Sequence, residues 1–127
     1  MDFSIELLQD PPIINVTVAG QWDSKTDNDM ALDIMKKVSE TKVDKVLVDL
    51  RELQFEIPVV DIFQRAKDLR EQRRGFAPVS AKVALVYRPV DQKMEEDFIF
   101  FENTSQNRGL PYRVFQRMES ALAWLTK

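Results

Sequence analysis

The stretch Lys45-Val46-Leu47-Val48-Asp49-Leu50 decides how the chain is read. Its β-branched and aliphatic residues mark a strand, yet the pattern alternates. Val46, Val48 and Leu50 fall on one face, while Lys45, Leu47 and Asp49 fall on the other. A strand buried on both faces of a parallel sheet reads as an unbroken apolar run. Polar residues at alternate places therefore point to a sheet with helices mainly on one side. Residues Ile13 to Ala19 behave the same way, with Ile14, Val16 and Val18 set against Asn15 and Thr17.

Working outward, Phe3 to Leu8 is a short β-type run separated from Ile13 by Gln9-Asp10-Pro11-Pro12, which reads as the turn of an N-terminal hairpin. Gly20 ends the second strand. Ser24 or Thr26 offers an N-cap to a first helix running to about Ser39, with Ala31, Ile34, Met35 and Val38 on one stripe. After a loop through Phe55, Pro58 suits the first turn of a second helix, whose apolar stripe is Val59, Ile62, Phe63, Ala66 and Leu69 and whose stop is Gly75. Ala81 to Tyr87 is a fourth strand. A third helix over about Asp91 to Asn107, closed by Gly109, leads to a short strand at Tyr112 to Phe115. A last helix covers Met118 to Leu125, with Met118, Ala121, Leu122 and Leu125 inward. The order β-β-α-β-α-β-α-β-α predicts an α/β fold with a mixed five-stranded sheet, its first strand antiparallel and the rest joined by right-handed crossovers.

The chain has 127 residues, enough for one domain over 1–127. A 44% hydrophobic and 31% charged composition is that of an ordinary globular domain. With no Cys and no His there is no disulfide, thiol nucleophile, Cys/His zinc site or imidazole base, and serine–histidine hydrolysis is excluded. The formal charge of −3 disfavours broad nucleic-acid binding. Met1 to Asp10 lack the basic start of a signal peptide, and no window approaches the roughly 20 apolar residues of a bilayer span. The expected location is cytoplasmic.

Three stretches together, Lys45 to Leu50, Ala81-Lys82-Val83-Ala84-Leu85-Val86, and Val114-Phe115 followed by Glu119-Ser120-Ala121-Leu122-Ala123-Trp124-Leu125, resemble the SpoIIAA-like branch of the STAS (sulfate transporter and anti-sigma-factor antagonist) fold. The Glu-x-Ala-x-x-Trp-Leu ending is the most specific of them. The resemblance implies a non-enzymatic domain that binds a protein partner or a small apolar or lipid-like ligand. In anti-sigma-factor antagonists a Ser-Ser-Gly segment opens the second helix and one serine is phosphorylated. Alignment through Asp49, Leu50 and Phe55 puts Pro58 and Val59 there, so no hydroxyl stands at that site.

Several charged groups invite a chemical reading. An EF-hand loop starting at Asp27, within the cluster Asp23, Asp27, Asn28, Asp29 and Asp33, would need glycine where Leu32 stands, so these acids read as partners of a helix N-terminus and no metal is expected. Glu95, Glu96, Asp97 and Glu102 read as a solvated helix face rather than a catalytic carboxylate pair. Arg65, Lys67, Arg70, Arg73 and Arg74 give the second helix a basic face suited to an acidic partner better than to nucleic acid. Gly20, Gly75 and Gly109 are too scattered for a phosphate loop, and no cofactor fingerprint exists.

What remains is aromatic and apolar. Trp22, Phe55, Tyr87 and Pro89 fall at or just beyond strand C-termini, where open α/β sheets form ligand crevices, and with Ile57 they are the crevice candidates. On the third helix Met94, Phe98 and Phe101 make the inward stripe. Ile99 and Phe100 point away from it: either the helix lies deep between its neighbours and is buried nearly all round, or they are the interface candidates, for a second subunit, a protein partner or a bilayer surface, or sit on a lid over an apolar crevice. The expected function is a non-enzymatic binding or regulatory module, with a carrier or sensor of a small apolar or lipid-like ligand as the alternative.

Overall fold

A computed structural model describes residues 1–64, 81–107, 109 and 111–127. One sheet runs through them in the order β1 (Asp2–Gln9), β2 (Pro12–Gln21), β3 (Lys45–Gln54), β4 (Lys82–Val86) and β5 (Tyr112–Phe115). β1 pairs antiparallel with β2, and the remaining neighbours are parallel, as the element order requires. The helices are α1 (Ser24–Thr41), α2 (described over 59–64), α3 (Gln92–Asn107) and α4 (Met118–Leu125). The stop expected at Gly75 and the basic face from Arg65 to Arg74 lie outside the described residues.

The alternation in β2 and β3 translates into two unequal layers. Ile14, Val16, Val18, Val46, Val48 and Leu85 point to one side, where Met30, Ile34 and Val38 of α1 and Phe101 of α3 cover them. Val59 and Phe63 of α2 and Met94 and Phe98 of α3 continue this layer over Tyr87 and Val114. The opposite side holds a smaller cluster, Ile13, Leu47, Ala84 and Val86, beneath Ala121 and Leu125 of α4. Three helices on one face and one on the other is the expected bias.

Local chemistry moves several boundaries. β3 continues past Leu50 because its register with β2 shifts: Thr17 pairs with Asp49 but Ala19 pairs with Glu52, so β3 carries one extra residue. This bulge reverses the parity of the strand and returns Leu53 to the side of Val46 and Val48. Alternation therefore breaks in sequence where the strand itself does not. The N-cap of α1 is Asp23 rather than Ser24 or Thr26, its Oδ1 accepting from the Thr26 N–H at 2.7 Å. Met30, outside the expected stripe, is the buried residue of that helix. Pro58 stands just before α2 instead of in its first turn, its carbonyl accepting from the Ile62 N–H.

Candidate functional site

The crevice candidates separate. Phe55 and Tyr87 converge on the fully buried Phe98 of α3: Tyr87 stacks on it at 4.0 Å between ring centroids, and Phe55 meets it edge-on at 6.4 Å. Phe63 adds a second edge contact at 5.3 Å and stacks on Phe101 at 4.0 Å. Trp22 packs instead against the α1 layer, where its indole Nε1 is buried without a hydrogen-bond partner. Ile57 and Pro89 are half-buried beyond β3 and β4. The five residues thus occupy the C-terminal end of the sheet, but only Phe55 and Tyr87 meet at one ring.

Helix α3 has two characters. Met94, Phe98 and Phe101 face inward as their spacing predicts, whereas Ile99 and Phe100 are 46% and 60% exposed. Ile99 forms one wall of a groove of about 390 Å³ between α3, β5 and the start of α4, lined also by Glu102, Val114, Phe115, Gln116, Arg117 and Ser120, with buried Tyr87 at its base. Burial raises the Tyr87 hydroxyl above its ordinary pKa, and the Gln116 amide bonded to it opposes that shift.

The acidic residues of α3 correct the expectation of a solvated face. Asp97 is buried, and its carboxylate accepts from the Val60 N–H of α2 at 3.4 Å while pairing with Lys93 one turn away. Pro58, in the position of an N-cap, has no side-chain oxygen. A carboxylate from a neighbouring helix caps α2 in its place. Glu102 accepts the Val114 N–H at 2.6 Å, and Glu95 accepts from Gln116 at 3.2 Å. Consecutive acids carried no sign of these roles, because each partner belongs to another element.

A further polar group lies on the α4 side of the sheet at the β3 bulge. Asp49 accepts from the Arg51 backbone N–H at 3.1 Å and from its guanidinium Nε and Nη2 at 2.9 and 2.8 Å. These donors hold the Asp49 carboxyl below its usual value against the opposing effect of partial burial, and Arg51 is correspondingly raised. The pair fixes the bulge from within its own strand. Among the described residues no group of three or more acids is placed to hold a metal ion, and no helix is long and apolar enough to cross a membrane.

No protein-family model and no curated protein matches the chain. Solved structures do. A crystal structure of an anti-sigma factor antagonist from Mycobacterium paratuberculosis superposes with a TM-score of 0.58 at 12% identity, over 99% of this chain and 96% of that one. An uncharacterised protein of Shewanella loihica described as having a SpoIIAA-like fold gives a TM-score of 0.55 at 18% identity, over 98% of this chain and 92% of that one. At such identities the likeness speaks to architecture, and with the mixed sheet and four helices it identifies the fold of this chain as the SpoIIAA-like fold of STAS domains.

Proposed function

We propose that this protein is a non-enzymatic, cytoplasmic regulatory module that engages a protein partner through the outer surface of α3, without a phosphoserine switch. The observation that carries this reading is the exposure of Ile99 and Phe100 on a helix whose opposite face packs inward through Met94, Phe98 and Phe101. Burying each side chain against a partner contributes about 1.5 to 3 kcal/mol, enough for the pair to anchor a modest interface. Similarity to an anti-sigma factor antagonist, a protein that by its description acts on another protein, supports the same class. The absence of a switch rests on Pro58 and Val59, which bring no hydroxyl to the start of α2, and on the Asp97 carboxylate already bonded there.

A second reading, a carrier of a small apolar ligand with a polar acceptor, is favoured by one observation, the buried and unpartnered indole N–H of the half-buried Trp22. One experiment separates the two. The variant Ile99→Ser/Phe100→Ser is compared with the parent chain for melting temperature, mass in solution and partner capture, alongside native mass spectrometry of protein purified without detergent. The regulatory reading expects an unchanged melting temperature, within about 2 °C, with capture lost. A ligand that co-purifies and is lost on Trp22→Phe supports the carrier, and a large drop in stability with capture intact sinks the interface.

A further inference from the structure

The partner reading leaves open what the partner presents, and the β5 edge constrains it. Among the described residues β5 ends the sheet, with β4 as its strand neighbour. The N–H groups of Val83 and Tyr87 donate to the carbonyls of Pro111 and Phe115, so these alternate residues turn their backbone toward β4. Tyr112 and Val114 therefore turn theirs away from it, to the outer side of β5. An edge N–H of this kind ordinarily bonds water or an added strand. The Val114 N–H instead donates to the Glu102 carboxylate at 2.6 Å, where the carbonyl of a sixth strand would lie.

The groove beside this edge has a definite charge. Glu102 lines it, and Glu95, seven residues earlier on the same face of α3, bonds the groove residue Gln116. Against these two carboxylates stands, among the described residues lining the groove, the Arg117 guanidinium, itself beside exposed Glu119 at 3.9 Å. Ile99 supplies the apolar wall.

We propose that this groove and the β5 edge form a docking site for an extended, basic segment of a protein partner, which adds to the sheet beside β5. The proposal rests on the partner-binding reading above and names the partner's chemistry. An incoming strand takes the place of Glu102 by offering a backbone carbonyl to the Val114 N–H. A lysine or arginine on its α3 side then receives the released carboxylate, and an apolar residue two places along covers Ile99. Every displaced group regains a partner. A neutral strand leaves the Glu102 charge without its hydrogen bond, and an acidic strand adds repulsion, so the exchange selects for basic sequence.

The test uses the full chain labelled with ¹⁵N and the end-blocked hexapeptide Thr-Lys-Thr-Ile-Thr-Lys, whose Lys, Ile and Lys share one face when extended. The control peptide carries Glu in place of both Lys. Saturable movement of the Val114 amide signal and its neighbours is expected with the basic peptide, and at least tenfold weaker binding with the acidic one. Glu102→Gln, which keeps an acceptor oxygen for Val114, is expected to abolish that preference. Equal affinity for both peptides, signals that move elsewhere, no saturable movement, or self-association of the unliganded chain through β5 each overturn the proposal. If the α3 substitutions abolish partner capture while the edge signals stay still for both peptides, the regulatory reading stands and this assignment of the partner falls.

Discussion

The two faces of the sheet are built on different principles. On the side of α1, α2 and α3, aliphatic residues of β2, β3 and β4 lie beneath helices, and an aromatic group centred on Phe98 fills the space above Tyr87. On the other side, among the described residues, the short α4 alone covers Leu47, Ala84 and Val86. Toward β1 and β2 that face is polar, with Ser4, Glu6 and Thr17 exposed. Apolar packing dominates the first face. The second combines a small core with hydrogen bonds: Lys82 donates to the Trp124 carbonyl at 3.1 Å and lies 4.6 Å from the centre of its ring, and Arg51 is clamped by Asp49. Removing large side chains should therefore cost most on the helical face, and removing the charge of the Asp49–Arg51 pair should cost less on the other.

The largest effect is expected at Phe98. Truncation to Ala deletes a fully buried ring contacted by Phe55, just beyond β3, Phe63 of α2 and Tyr87, just beyond β4, three separate parts of the chain that cannot jointly move in to replace it. A loss of about 4 kcal/mol is expected in denaturant unfolding. A loss below about 2 kcal/mol would show that this layer collapses easily and would erase the contrast between the faces.

Leu125→Ala is the matching substitution on the thin face. Leu125 is as fully buried as Phe98, but it belongs to a helix of eight residues that packs on a smaller cluster. A short helix on a small core shifts more readily into a cavity, so a loss of about 2 to 3 kcal/mol is expected, at the low end for such truncations. If the two variants lose equal stability under the same conditions, cavity collapse does not distinguish the faces.

This asymmetry was written in the sequence wherever it depended on periodicity. Val46, Val48 and Leu50 against Lys45, Leu47 and Asp49 announced the one-sided sheet, and the spacing of Met94, Phe98 and Phe101 announced the buried side of α3. The same arithmetic left Ile99 and Phe100 outside, where the structure puts them. Periodicity failed at the bulge, because an inserted residue reverses parity and makes Leu53 look like the wrong face. It was also silent on Asp97 and Glu102, whose partners Val60 and Val114 lie 37 and 12 residues away. A carboxylate that caps another element looks in sequence like any surface acid. The convergence of Phe55 and Tyr87 on Phe98 likewise needed the fold, since strand ends alone showed only that such residues lie on one side of the sheet.

The smallest expected effect belongs to the polar face, and its sign is set by proton linkage. The Arg51 donors lower the Asp49 carboxyl from its ordinary 3.8, so the folded state binds this proton less readily than the unfolded chain. Stability from the pair is then complete above the unfolded value and is lost as pH falls through the lower, folded one. Asp49→Asn keeps an oxygen for the Arg51 backbone N–H but removes the charge and one guanidinium acceptor. The Asp49 and Arg51 side chains are 15% and 34% exposed, so solvent screens the pair and the cost at pH 7 is about 1 kcal/mol. Thermal unfolding of both proteins from pH 7 to pH 2 checks this. The parent chain should be the more stable at neutral pH, and its advantage should narrow from about pH 4 downward, as the carboxylate is protonated. An advantage unchanged at pH 2 would mean that Asp49 acts through its shape and backbone hydrogen bond alone, and the polar face would owe nothing to charge at the bulge.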